Sequence, residues 1–340
     1  MKQKYFVVIL FLLSLLGVFL LYKPFLMSIV IASLLAISTA SINNYFIKKT
    51  SSILWSAIIS TLLLAIIFFA PLSYFLTTFT IKINSINIEE LQTIYNNTKA
   101  YLLELNTHLG FAKIHVEDFI NNLDTKDITK NSLHIATLIG GYSASFIKSG
   151  LLILVFYFFA IYNSKPLIDF LKSIVHIGDK DAISLGSGLS STMSVVFYSI
   201  IATAILEGAL FGGAVAFMGY DGLLFGILYG FSSLVPVIGG AILWVPFTLY
   251  ELSLGNTSWA LFISIYSIVV ISIIADTFIK PVIIKIINSH LSKGMTPMNE
   301  VVIFFSIIAG LTTFGFWGMI LGPAITAFFL STLKLFEKLD

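Results

Sequence analysis

The chain has 340 residues, 58% hydrophobic and only 11% charged, with a mean hydropathy of +0.99, where a soluble domain is about 45–50% apolar; this excludes a soluble fold and implies a polytopic membrane protein. A formal net charge of +2 gives no basis for binding nucleic acid. All 19 basic residues are Lys and Cys is absent, which excludes bidentate Arg clamps, disulfides, thiolate metal sites and Cys nucleophiles.

A bilayer core about 30 Å thick takes about 20 apolar residues wound as a helix. Lys2 and Lys4 precede the run Tyr5 to Tyr22, which is longer than a signal-peptide core and has no small-x-small cleavage site after it. It reads as an uncleaved first span. Lys23-Pro24 turns the chain into a second span, Phe25 to Ile42, closed by Asn43-Asn44 and Lys48-Lys49. The third runs from Ile53 to Phe79, with a kink expected at Pro71. Residues 1–80 thus form a first membrane region.

Residues 81–145 are polar by contrast and read as an extracytoplasmic helical insert. Ile88, Leu91, Tyr95, Thr98, Leu102, Leu105 and Leu109 recur at three- and four-residue spacing, the seam of an amphipathic helix. His108, His115 and His134 lack the spacing of a metal site, so no metal is expected. In residues 146–190 a fourth span, Phe146 to Tyr162, leads to Lys165-Pro166 and a stretch with Leu167, Leu171, Ile174 and Val175 opposite Lys172 and Lys180. That pattern suits a helix lying in the membrane interface. A loop is expected at Asp179-Lys-Asp181 and Gly186-Ser-Gly188.

Residues 191–340 read as the core transport region. The fifth span, Met193 to Met218, carries Glu207 and Gly208-x-x-x-Gly212, a spacing that predicts close helix contact. The sixth segment, Gly222 to Leu252, is broken by Pro236-Val-Ile-Gly239-Gly240, and each half is too short to cross. A seventh, Trp259 to Ile279, is regular until Asp276 and ends at Lys280-Pro281. The last stretch, Val301 to Phe336, is interrupted by Gly310, Gly315, Gly318 and Gly322-Pro323. Broken helices persist in lipid only where protein or water satisfies the freed backbone groups, and two broken segments flanking an intact one are a transporter pattern. The expected fold is all-α, with about eight hydrophobic segments, the sixth and eighth broken as re-entrant hairpins.

Lysines choose the topology. Lys2, Lys4, Lys48, Lys49, Lys165, Lys172 and Lys180 place the N-terminus in the cytoplasm under the positive-inside rule. If the sixth segment re-enters, Lys280, Lys285 and Lys293 also fall inside, as do Lys334 and Lys338 at the C-terminus.

The residues Glu207-Gly208, Pro236-Val-Ile-Gly239-Gly240 with Trp244-Val-Pro246, Asp276-x-x-x-Lys280-Pro281 and Phe314-Gly315-Phe-Trp-Gly318-Met-Ile-Leu-Gly322-Pro323 stand in an order that resembles the autoinducer-2 exporter family, also called PerM-type permeases. The resemblance is good from Ser190 onward and topological before that. It implies a homo-oligomeric transporter of the bacterial cytoplasmic membrane, linked to release of a quorum signal or, in some branches, to sodium/proton exchange. Glu207 stands where the family often has Gln, and Met295-Thr296-Pro297 replaces a common Leu-His-Pro. An added carboxylate suits cation or proton coupling.

The expected function is secondary transport of a small polar solute or signal, with a sodium/proton antiporter, an oligomeric passive channel and a non-transporting scaffold as alternatives. Ionisable groups at membrane depth mark pathways, so Glu207, Glu251, Asp276 and Lys280 are candidates, with Pro236, Gly239, Gly240, Pro281, Gly315, Gly318, Gly322 and Pro323 shaping the breaks. Asp276 and Lys280 are one helical turn apart and can pair. No nucleotide-binding Gly-rich loop and no His-Glu-x-x-His motif occurs, so neither a cofactor nor an enzymatic activity is expected. The partners expected are the lipid bilayer, the solute or a monovalent cation or proton, and further copies of the chain.

Overall fold

The computed structural model describes residues 2–85, 93, 96, 97, 99, 100, 146–174, 179–235, 238–291 and 299–336. The seam of residues 88–109, the three insert histidines and Pro236 lie outside the described residues. Among the described residues every regular element is helical, and the all-α expectation holds. Five helical runs are long and apolar enough to cross a membrane, and two bent pairs raise the number to at most seven. The sixth of the eight expected segments consists of limbs of 11 and 15 residues, each short of the ~20 a crossing needs.

Packing divides the chain into two units, one of 1–65, 145–194 and 297–340, the other of 66–144 and 195–296. In the first unit, α1 (Lys2–Tyr22) exposes its side chains all round, which in an integral membrane protein means contact with lipid. The second span is bent rather than straight: α2 (Leu26–Ser38) and α3 (Ala40–Thr50) meet at 63°. Ser38 and Thr39 donate their hydroxyls to the carbonyls of Leu34 and Leu35, both at 2.7 Å, a back-bonding that bends helices. Tyr157 and Ser194 fix the bend, through hydroxyl contacts of 2.7 Å to Thr39 Oγ1 and 3.0 Å to the Ser38 carbonyl. Ser56 and Ser60 donate to the buried Asn43 Oδ1 at 2.6 and 3.2 Å.

α4 (Ile53–Ser85) continues as a helix through Pro71. α5 (Phe146–Tyr162) turns by 78° into α6 (Ser164–Ile174), which exposes Leu167, Ile168 and Phe170 as an interfacial helix would. α7 (Asp179–Phe217) absorbs the loop expected around Gly186 and Gly188 into one helix of 39 residues. Gly188 lies against Ser331, where a Cβ would come 3.0 Å from Oγ.

In the second unit, α8 (Gly222–Ser232) and α9 (Gly239–Ser253) fold back on each other as a helical hairpin. Asp221 caps α8 by accepting the Leu224 N–H at 3.0 Å. Across the two limbs Phe225 meets Phe247 at 5.0 Å between ring centroids, and Tyr220 meets Tyr250 at 6.2 Å, so the limbs run antiparallel. α10 (Thr257–Tyr266) follows, and the segment expected to stay regular then widens to i→i+5 winding over Ser267–Ile279 before α11 (Lys280–Leu291). Such winding is rare beyond a single turn. Within it Ser267, Ile271 and Ala275 are buried, and Ile271 joins the core of Phe211, Val215, Tyr229, Phe247 and Ile263.

The last stretch belongs to the first unit and also doubles back. α12 (Glu300–Phe314), a tight turn at Gly315–Trp317 and α13 (Gly318–Phe336) form a second hairpin. Gly315 takes φ +65°, a conformation that favours glycine. An ideal Cβ on Gly310 would overlap the Gly318 carbonyl, and one on Gly322 the Ser306 carbonyl, so the two limbs touch backbone to backbone. Although Val301–Leu333 passes a test of length and hydropathy for one crossing, the fold-back makes its contour length a poor measure of its span.

Candidate functional site

The site is built on α7, where it passes the first hairpin. Gly208 and Gly212 face Gly222 and Gly226 of α8; a Cβ on Gly208 would come 2.6 Å from the Gly226 carbonyl oxygen. This is the close contact predicted by their spacing. Backbone approach of that kind draws the neighbouring Glu207 against the packed core, leaving its side chain 5% exposed.

Glu207 finds its partner on another helix. Lys280 Nζ lies 3.2 Å from Glu207 Oε1 and 3.4 Å from Asp276 Oδ1, so a single ammonium serves two carboxylates. Asp276 and Lys280 are far more open, at 41% and 35%. The cluster is therefore asymmetric: the Asp276 arm is screened by its surroundings, whereas the Glu207 arm is not. With both acids ionised the trio carries one net negative charge. It can accept one monovalent cation or proton and become neutral. Pro281 follows Lys280 inside a helical run continuous from Thr257 to Ile287, so its missing N–H removes a backbone bond in mid-run.

Tyr229 links this trio to the break in the hairpin. Its ring stacks on Phe211 at 4.5 Å, and its hydroxyl stands where a Cβ on Gly240 would fall. The same hydroxyl is within electrostatic reach of Glu207 and Asp276. Gly239 in turn sits against the Ser232 carbonyl and donates its N–H to Val235 at 2.9 Å. The two glycines thus admit, at the start of α9, a carbonyl and a phenol that any larger residue would displace. Sequence reasoning missed Tyr229, since a tyrosine in an aromatic-rich apolar helix gives no signal until its hydroxyl is located.

The remaining candidates separate. Glu251 is in the last turn of α9, eleven residues beyond Gly240 and so about 16 Å along the helix, fully buried beside Asn256. Gly315, Gly318, Gly322 and Pro323 belong to the second hairpin, where Pro323 is buried in α13. Phe146 caps that hairpin's tip, stacking on Trp317 at 5.3 Å.

Comparison with known proteins gives this arrangement a context. The profile of the family described as AI-2E family transporter matches residues 9–338. The chain belongs to the AI-2E transporter family. A Helicobacter pylori protein named for transport is 36% identical over 340 residues, covering 99% of this chain and 97% of its own length. An Aquifex aeolicus protein named in the same way is 23% identical over 240 residues, 66% of this chain and 64% of its own. A Bacillus subtilis protein, also named for transport, is 29% identical over 188 residues, 54% and 48% respectively. As a member of the AI-2E family the chain is an integral membrane transport protein in contact with the lipid bilayer, and the trio and the two hairpins lie within the matched residues.

Proposed function

We propose that this AI-2E family member is a secondary transporter in which Glu207 exchanges its bond to Lys280 for a proton or sodium ion as a small polar solute passes the first hairpin. The observation that carries the reading is the buried Glu207 paired with Lys280 at 3.2 Å. A buried pair is costly to break, about 3–5 kcal/mol when one partner is simply removed. Arrival of a cation at Glu207 offsets that loss and frees Lys280 to stay with Asp276. The trio therefore has two arrangements of similar energy, which a coupled transporter requires. Backbone groups at the break, with the Tyr229 hydroxyl between them and the acids, supply the polar contacts for the solute.

On this reading both hairpins re-enter the membrane, the N- and C-termini are cytoplasmic, and the chain works as a homo-oligomer in a bacterial cytoplasmic membrane. The lysine distribution supports the topology. Proteoliposomes carrying a pH-sensitive dye, with sodium gradients and labelled autoinducer-2 supplied in turn, test the function. Wild type is expected to couple cation movement to solute accumulation, and Glu207→Gln to abolish accumulation. Equal flux and equal pH dependence in Glu207→Gln would end the coupling proposal. Downhill flux without accumulation would favour a passive channel.

A further inference from the structure

At the feet of the first hairpin lies a second carboxylate that the trio does not use. Glu251 is 0% exposed. Its Oε2 accepts the Asn256 side-chain amide at 3.1 Å, and its Oε1 has no hydrogen-bond partner. Among the described residues no lysine or histidine pairs with it. The chain enters the hairpin beside it: Tyr220 lies within reach of its charge, although no hydrogen bond of normal length and angle joins the phenol to Oε1. Burial, and then the neighbouring Glu251 and Tyr250, push the Tyr220 phenol above its ordinary range, so it stays a neutral hydroxyl. Tyr220 and Tyr250 are the titratable groups that meet here from the two limbs, with Asp221 next along the chain.

Asp221 is occupied elsewhere, taking the Leu224 N–H and lying 3.3 Å from the Tyr74 hydroxyl through both oxygens. Asn97 closes the other foot by donating to the Ser253 carbonyl at 3.0 Å. A carboxylate that is fully enclosed, held by one neutral amide and, among the described residues, lacking a cationic neighbour is an arrangement proteins avoid unless its charge is cancelled. The Tyr220 phenol oxygen beside the carboxylate is a hard ligand of the kind that takes small cations, while the Asn256 amide turns its N–H to Oε2.

We propose that Glu251 and Tyr220 form a second monocation site, separate from the Glu207 trio, in which a sodium ion or a proton sits on Glu251 Oε1 and ties the two feet of the hairpin together. The site stands on its own geometry and does not require the transport reading.

The test uses the purified full chain in nanodiscs. Melting temperature is followed against sodium chloride, with choline chloride holding ionic strength constant, and the infrared carbonyl band of a protonated carboxyl is recorded in parallel. The reference protein carries Glu207→Gln, so that the trio adds no sodium or carboxyl signal of its own. If the ion is sodium, this protein gains several degrees in sodium over choline; adding Glu251→Gln abolishes the gain and adding Tyr220→Phe shrinks it. If it is a proton, sodium has no effect and a carboxylic band is present that added Glu251→Gln removes and added Tyr220→Phe shifts. Absence of both responses in Glu207→Gln overturns the site, as does either response surviving when Glu251→Gln is added. Should the double variant with Glu251→Gln not fold, the Glu207→Gln responses and their change on adding Tyr220→Phe decide alone.

Discussion

The two hairpins use one backbone device and close it by opposite means. In α12/α13 the limbs meet through Gly310, Gly318, Gly322 and the Ser306 carbonyl, with no room for a side chain between them. In α8/α9 they are held apart by rings, Phe225 on Phe247 and Tyr220 against Tyr250, and polar groups stand at both ends, Tyr229 near the apex and Glu251 at the feet. Backbone contact is rigid because nothing in it can adopt another rotamer. Ring packing with polar ends can adjust when charge at those ends changes. On the proposed function the second hairpin is the fixed element and the first the one that responds.

The largest effect that would break this contrast belongs to the rigid hairpin. Gly310→Val or Gly318→Val places a branched side chain on a facing carbonyl. Destabilisation is expected above about 3 kcal/mol, the upper end for ordinary overpacking, read as loss of folded protein on gel filtration. A folded, active Gly318→Val protein would show that the limbs can part.

Next comes Lys280→Met, which strips the buried Glu207 of its counter-charge. About 3–5 kcal/mol of stability is expected to go, and the double variant Glu207→Gln/Lys280→Met is expected to recover most of it, measured by thermal melting in nanodiscs. Equal melting of the single and double variants would mean that the pair contributes nothing to Glu207.

A smaller change sharpens the responsive side. Tyr229→Phe removes a hydroxyl beside Gly240 while keeping the ring on Phe211. Stability is expected to shift by no more than about 1 kcal/mol, the net value of one hydrogen-bonding group, while solute flux falls roughly tenfold. Unchanged flux would remove Tyr229 from the pathway.

Much of this architecture was legible in the sequence, and what was not has a physical reason. Hydropathy and the glycine clusters announced both hairpins, because a break in lipid needs residues that let backbones approach. Gly208-x-x-x-Gly212 announced its own contact. Asp276-x-x-x-Lys280 announced an ion pair, but Glu207, 73 residues from Lys280, could join it only through tertiary packing that spacing does not encode. The bend at Thr39 escaped because Ser and Thr back-bonding looks the same in a straight helix. The loop expected at Gly186 and Gly188 failed for the opposite reason: Gly188, which looks like a helix breaker, lies in the helix against Ser331, and Gly186 faces open space. The wide winding after Ser267 carries no compositional mark, since its buried residues Ser267, Ile271 and Ala275 keep the four-residue spacing of an ordinary helix face.

The smallest effect concerns Asp276, and it tests how unequal the two arms of the trio are. Asp276 Oδ1 is 3.4 Å from Lys280 but 41% exposed, against 3.2 Å and 5% for Glu207. Exposed pairs of this kind contribute about 0–1 kcal/mol, so Asp276→Asn is expected to lower stability by less than 1 kcal/mol, with a difference that shrinks further as salt is raised. Flux should nevertheless become less dependent on the coupling ion, because Lys280 loses the partner it turns to when Glu207 takes up a cation. A stability loss as large as that of Lys280→Met would place the weight of the trio on Asp276 and leave Glu207 a bystander; a small loss with altered ion dependence is what an exchange of partners at Lys280 demands.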